Sequence, residues 1–372
     1  MKGLCSFLFS FFLSNLAALA IAGDGDVSLK RESAAKYKYI EFNEFGRPEE
    51  VLLIKEEDPR PLNDGEIRVK VLAAPINPSN LYQIAGNYGS APEFPATPGS
   101  EGVGRVVEIS EGVKQVRTGQ LVLLVGGGTW REQIVAPASK VLPLPELENL
   151  DDKLIEQLSM SLVNPVTAFL MLTSFTQLKE GQWLVQSAAN SAVGGYVIQL
   201  AKQRGIKTVN VVRRPGLADD LIAKGGDVVL VDGPDLVREI KRATDDGPVQ
   251  LALDAVGGDT FGRLANSLNY DGTLIAYGVL SGQPANLNTA ITIFKDIRMR
   301  GFWLAKWYEK ASGKEKKEIF DQIIPLIVTG SLAADVDSRF TIDEIKEAVV
   351  RASQPGRNGK VLIVPNGRGL AD

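Results

Sequence analysis

The stretch from Trp183 to Arg214, WLVQSAANSAVGGYVIQLAKQRGIKTVNVVRR, sets the narrowest limits on the fold. Trp183 to Ala188 is a short apolar run suited to a buried strand, and Ala188 to Gly195 is a tight succession of small residues. Val193, Tyr196, Val197, Leu200 and Ala201 then recur at helical spacing until Gly205, and Thr208 to Val212 reads as a second, β-branched strand. The order is strand, turn, helix, strand. A pyrophosphate rests on a helix N-terminus only where no side chains stand between it and the backbone N–H groups, and Ala, Ser and Gly keep that approach open. Asn190, Ala192, Val193 and Gly194 are therefore candidate dinucleotide contacts. The match to G-x-G-x-x-G is incomplete: with Gly194 as the last glycine, Ala189 and Ser191 stand in the first two places. An ordinary packed strand-to-helix turn is the competing reading.

The second strand runs out in Arg213 and Arg214, about 20 residues beyond Gly194, where an NAD site places an acid for the ribose 2′-hydroxyl. Arginine accommodates a 2′-phosphate instead, so the expected cofactor is NADPH. A solvated pair at a strand end is the alternative.

Composition removes whole classes of chemistry. The 372 residues contain no histidine, and the one cysteine, Cys5, lies near the N-terminus. Ser-His-Asp and Cys-His catalysis and a histidine-ligated zinc site are excluded, and acid-base work falls to Tyr, Asp, Glu, Lys, the cofactor or water. The net charge of −4 and the dispersed basic residues mark no nucleic-acid surface.

Residues 1–22 read as a leader: Lys2, an apolar run from Leu4 to Leu13, then Ala20-Ile21-Ala22 as a small-residue cleavage site. That pattern is secretory, yet the rest of the chain has no cysteine and no N-x-S/T acceptor. A true signal, an unusual organellar leader and an upstream start codon all remain open, with the mitochondrial matrix or cytoplasm expected for an enzyme using a soluble reduced cofactor. No stable membrane span is expected once the leader is removed. Residues 23–36 are a polar linker. From 37 to 162 short strands broken by Gly, Pro and Asn predict a β-rich domain. Residues 163–304 switch to strand-helix alternation, with further strands at Asp227 to Val231, Gln250 to Val256 and Gly272 to Tyr277. This is the pattern of a Rossmann-type α/β fold with a doubly wound parallel sheet. In the segment 305–372 the spacing predicts a helix from Lys314 to Ile324 that stops or kinks at Pro325, a helix from Thr341 to Ala352, and a strand from Lys360 to Val364 that returns to the first domain.

A GroES-like β-rich domain followed by a Rossmann domain, with the tail closing back, resembles the zinc-free medium-chain dehydrogenase/reductase family, and within it the 2-enoyl thioester reductases of mitochondrial fatty acid synthesis. The resemblance runs from about Tyr39 to Pro365. It is carried by Ile76-Asn77-Pro78-Ser79-Asn80, Gly86-Asn87-Tyr88-Gly89, Gly99-Ser100-Glu101-Gly102-Val103, Gly128-Thr129-Trp130-Arg131, Val163-Asn164-Pro165-Val166-Thr167-Ala168 and Arg300-Gly301-Phe302-Trp303-Leu304. Zinc-dependent members have a G-H-E-G motif where this chain has Ser100 before Glu101, so the resemblance implies a metal-free site. The turn from Ala188 to Gly194 is similar to the A-S-N-S-G-V-G turn of the enoyl reductases, with Ala192 replacing a glycine, and the segment Arg214 to Ala218 is shorter than in the animal enzymes.

The resemblance implies roles. Tyr88 aligns with the catalytic tyrosine and Trp303 with a tryptophan at the substrate end of the cleft, with Tyr82 as second choice for the phenol. Asn77, Asn164 and Thr167 match cofactor positions, and Tyr277 and Gly278 fall where the nicotinamide half of a Rossmann cofactor lies. Each has a structural rival: a packed loop tyrosine, a core tryptophan, a turn asparagine before Pro78, a turn glycine. Lys295 is read as a surface lysine rather than a phosphate contact.

A metal-free hydride donor requires an acceptor that is already electrophilic, and a carbon–carbon double bond conjugated to a carbonyl qualifies. The implied activity is NADPH-dependent reduction of trans-2-enoyl thioesters on CoA or acyl carrier protein, by a homodimer. Two alternatives stand beside it: a quinone or alkenal reductase of the same zinc-free family, and a non-enzymatic cofactor-binding protein that acts through partners.

Overall fold

The computed structural model describes residues 35–371; the leader 1–22 and all but the last two residues of the linker 23–36 lie outside them. The β-rich part opens with β1 (Tyr37–Glu41) paired antiparallel to β2 (Leu53–Glu57), followed by β3 (Glu66–Pro75), β4 (Val103–Ile109), β5 (Leu121–Leu124), β6 (Gln133–Pro137) and β7 (Val141–Pro143). The long strand β3 is the hub of this part, pairing antiparallel with both β4 and β6. Its middle residues Ile67, Val69 and Val71 are wholly buried, and from Val71 onward every residue is buried.

The helix Asp152–Ser159, capped by the Asp151 side chain, and the helix Asn164–Thr173 lead into the parallel sheet. Its strands are β8 (Trp183–Gln186), β9 (Lys207–Val212), β10 (Val228–Val231), β11 (Val249–Asp254), β12 (Thr273–Ala276) and β13 (Arg298–Gly301). They lie in the order β10-β9-β8-β11-β12-β13, all parallel. Parallel strands covered on both faces read as continuous apolar runs, and β8 is buried at all four positions. The helix Ala192–Gln203 follows β8 and ends just before Gly205, as its spacing predicts.

Gly194 explains itself by packing. A Cβ there would stand 2.4 Å from the Ala189 carbonyl oxygen, so only glycine lets the helix lie this close to the preceding turn.

In the tail, β14 (Val336–Phe340) runs parallel to β15 (Lys360–Ile363), and β15 pairs antiparallel with the end of β3. The helix expected to stop or kink at Pro325 does not stop there: it runs Gly313–Val328 with Pro325 inside it. Proline removes one hydrogen-bond donor, but the last turn still closes through Thr329 N–H to the Pro325 carbonyl at 3.0 Å. The buried face of Ile319, Phe320, Ile323, Ile324 and Ile327 outweighs that loss, and a capping box between Ser312 and Glu315 fixes the start. One apolar cluster joins Leu72, Val103 and Leu123 of the β-rich part to Leu184, Tyr196, Val197 and Leu251 of the parallel part. Their interface is therefore a core. Among the described residues no single helix is long and apolar enough to cross a membrane.

Candidate active site

The order of the parallel strands reverses between β8 and β11, and in such sheets ligands lie beyond the carboxyl ends at that switch. The turn after β8 occupies this place. Ser191 caps the helix, its Oγ accepting from Gly194 N–H at 3.1 Å, and Ala188 adopts φ 48° to bend the chain into the turn. The N–H groups of Ala192 and Val193 make no hydrogen bond within the described residues, and Asn190 is exposed. Beneath the turn, the buried Gln186 amide donates to the Gly194 carbonyl at 3.0 Å and to Asn210 Oδ1 at 2.8 Å. At the end of β11, the buried Asp254 accepts from Ser187 Oγ at 2.7 Å, Val256 N at 3.1 Å and Gly257 N at 2.8 Å. Burial raises the Asp254 carboxyl above its ordinary range, and these three donors pull it back.

Free N–H groups at a helix N-terminus, flanked only by small side chains, fit a pyrophosphate. Arg213 and Arg214 follow β9 on the same edge of the sheet; both are exposed, and neither forms an ion pair among the described residues. Tyr277 follows β12 on that edge too, its hydroxyl buried without a hydrogen-bond partner and its pKa raised by that burial. A Cβ on Gly278 would lie 2.8 Å from the Ala255 carbonyl, so this loop passes tightly over the end of β11. A dinucleotide with a 2′-phosphate therefore suits the residues present: open donors for the pyrophosphate, unpaired guanidinium groups one strand away, and a buried phenol beside the Ser191 cap.

The other candidates fall into two groups. Asn77, Asn164 and Thr167 are all buried, and Asn77 links the first two to Glu101, a carboxylate with no exposure at all. Glu101 Oε1 accepts from Asn77 Nδ2 at 2.8 Å, and Oε2 accepts from the Leu162 and Val163 N–H groups at 2.9 Å each. Asn77 Oδ1 accepts from Asn164 Nδ2 at 3.1 Å and from the Lys360 ammonium. Thr167 donates its hydroxyl proton to the Val163 carbonyl at 2.7 Å, which leaves its oxygen free only to accept. Burial pushes the Glu101 carboxyl up and brings Lys360 down to about 7, while their mutual attraction opposes both shifts. Glu101 and Lys360 were not among the site residues expected from sequence. The available signal was a single lysine opening the otherwise apolar run Lys360-Val361-Leu362-Ile363-Val364.

Tyr88 and Trp303 form the second group. Trp303 Nε1 donates to the Tyr88 hydroxyl at 2.7 Å, and the rings meet edge to face with centroids 5.5 Å apart. Trp303 sits immediately before the helix Leu304–Lys310, whose Lys306 ammonium lies 5.3 Å from the indole centroid. Tyr82 stands apart from this pair, its hydroxyl 3.5 Å from the Val279 carbonyl in the loop after β12. Lys295 is neither a free surface lysine nor near the turn: it is half-buried and donates to the Asn266 and Leu268 carbonyls at 2.6 and 2.9 Å.

This architecture is that of a two-domain nicotinamide-dependent oxidoreductase. Residues 63–146 match the family model described as alcohol dehydrogenase GroES-like domain, and residues 192–321 the one described as zinc-binding dehydrogenase. The rat mitochondrial enoyl-[acyl-carrier-protein] reductase is 36% identical over 321 residues, covering 84% of this chain and 85% of the rat protein. The chain belongs to the medium-chain dehydrogenase/reductase family, in its enoyl thioester reductase branch. Among solved structures, the Etr1p/Etr2p heterodimer of the mitochondrial 2-enoyl thioester reductase from Candida tropicalis superimposes with a TM-score of 0.81 at 28% identity, over 89% of this chain and 100% of that one. The Etr1p complex with NADP and crotonyl-CoA gives the same score and coverages at 27% identity. A protein from Bacillus thuringiensis described as a putative NADPH:quinone reductase gives 0.80 at 30% identity, over 89% and 99%.

Proposed function

We propose that the chain reduces the carbon–carbon double bond of trans-2-enoyl thioesters with NADPH, the acyl group being carried on CoA or on acyl carrier protein. The observation that carries this reading is the Tyr88–Trp303 pair. An indole nitrogen only donates, so by filling a lone pair on the Tyr88 oxygen it leaves the phenol's own proton to be aimed elsewhere. The site then holds a hydroxyl that must donate, suited to the oxygen on which enolate charge develops. NADPH supplies the hydride to the β carbon when bound. Tyr88 then stabilises the enolate oxygen and directs a proton, its own or a water's, to the α carbon. A phenol is a poor acid in isolation, and proximity to the enolate makes the transfer feasible.

The remaining residues bind and orient. Arg213 and Arg214 would hold the 2′-phosphate, the turn from Asn190 to Gly194 the pyrophosphate, and Asn164, Thr167, Tyr277 and Gly278 would surround the nicotinamide half, with Asn77 behind them holding the Asn164 amide. Their role would be to hold the reacting carbons within the roughly 3 to 3.5 Å that hydride transfer needs. Two copies associate through the open edge at β13, beside the exposed Ile293 and Phe294, in keeping with the Candida tropicalis heterodimer. The mitochondrial relatives favour the matrix as the site of action. A quinone reductase reading is kept on one observation, the identity to the Bacillus thuringiensis protein.

Isotopes separate the two readings. With NADPH deuterated at its transferable position, deuterium is expected at C3 of the saturated acyl product, and in D2O a second label at C2, both read by mass spectrometry. A quinone reductase leaves hydride on no carbon of its product. Absence of carbon-bound label at C3 overturns the proposal.

A further inference from the structure

The Glu101 cluster does more than bury charge. Its carboxylate is an acceptor only, and two of its three donors are backbone N–H groups that cannot turn away. The third donor, Asn77, has one donating and one accepting end. Facing a carboxylate, it must present Nδ2, so its Oδ1 is forced to the opposite side. There it meets two further donors, Lys360 and Asn164. Asn164 in turn spends its amide N–H on Asn77, so its own Oδ1 faces away from the cluster as an acceptor. Two buried charges of opposite kind, the acceptor Glu101 and the donor Lys360, thus agree on the direction of Asn77, and Asn77 in turn sets that of Asn164. The segments concerned are far apart in sequence: Glu101 and Asn77 belong to the β-rich part, Asn164 opens the helix into the parallel part, and Lys360 starts β15.

We infer that Glu101 is a positioning residue for cofactor binding: it fixes the amide polarity of Asn77 and, through it, of Asn164, so that Asn164 offers a carbonyl oxygen to an N–H or O–H of the dinucleotide. The inference rests on the NADPH reading above. A purely structural role, tying the helix start at Leu162 and Val163 to the β-rich part, is the competing account, and a charge-swap series distinguishes them.

In Glu101→Gln, the new Oε1 goes to the two backbone N–H groups and Nε2 is left facing Asn77 Nδ2, donor against donor. Asn77 is driven to turn, which sets its Nδ2 against Lys360 and Asn164. Asn77→Asp alone puts two carboxylates face to face. In the double variant Glu101→Gln with Asn77→Asp, the Gln amide donates to one Asp oxygen while the other accepts from Lys360 and Asn164. Every donor meets an acceptor again, with the net charge unchanged.

The full chain and the three variants are titrated with NADPH by fluorescence, with melting temperature followed in parallel. Each single variant is expected to bind NADPH about tenfold more weakly, as for one misdirected hydrogen bond. The double variant is expected to return to within about threefold of wild type. Glu101→Gln that melts early yet binds NADPH like wild type would show a structural role alone and overturn the inference. A double variant no better than the singles overturns it as well. If Glu101→Gln does not fold, the double variant decides: folded with near wild-type affinity supports the inference, unfolded or weak binding overturns it. Wild-type protein that fails to bind NADPH removes the cofactor reading together with this one, an outcome distinct from all the others.

Discussion

Tyr88→Phe is expected to lower kcat for trans-2-enoyl-CoA reduction by about 10² to 10³-fold, with NADPH affinity essentially unchanged. The substitution keeps the ring, and so the edge-to-face contact with Trp303, while removing the one hydroxyl that Trp303 Nε1 orients. The interaction lost is one made chiefly to the developing enolate charge, so it falls on kcat rather than on binding. Trp303→Phe keeps an apolar wall but frees the Tyr88 hydroxyl to turn, and its cost should be smaller, about tenfold in kcat. Stability changes little in either case, because both residues are only half-buried. Steady-state kinetics with crotonyl-CoA, paired with a direct NADPH titration, measures both quantities. A Tyr88→Phe enzyme that turns over at the wild-type rate would remove Tyr88 from the chemistry.

The second large effect concerns the choice of cofactor. Arg213→Ala with Arg214→Ala should raise KM for NADPH by about 30-fold and leave KM for NADH nearly unchanged. Charge-assisted hydrogen bonds reach about 1.5 to 3 kcal/mol each. Both guanidinium groups are exposed at the end of β9, so screening reduces the joint contribution to about 2 kcal/mol. Because salt screens exposed charges, the wild-type preference weakens as salt rises. A double variant with an undiminished preference for NADPH would show that other groups select the phosphate.

The parallel half was legible in sequence because its signals are local. The apolar run Trp183 to Ala188, the small-residue turn and the helical spacing up to Ala201 each lie within a few residues; the strand closes at Gln186, two residues short of the run, and the helix lies where its pattern puts it. Gly194 shows the limit of motif reading. Against a degraded fingerprint it looked like one weak match among several, whereas its close approach to Ala189 is what requires glycine there. A local rule reads Pro325 as a stop or a kink; the helix does not stop, because the tertiary burial of its face on either side of the proline prevails. The site itself is built from distant pairs. Tyr88 and Trp303 are 215 residues apart, and Lys360 reaches Asn77 across 283. Resemblance brought the first pair together in advance. Nothing local marks Lys360 as the partner of Asn77, since a lysine opening a strand is most often solvated. Glu101 was visible only as a letter in a motif, and its three donors come from segments that the sequence does not align.

The most direct measurement follows the oxidation of NADPH and of NADH by the purified protein, with trans-2-enoyl-CoA, a quinone and an alkenal in parallel. Efficient turnover of enoyl-CoA is expected with NADPH, slow turnover with NADH, and little or none of the quinone. Turnover of the quinone alone, with enoyl-CoA inert, would contradict that expectation while leaving the fold and the cofactor site as described.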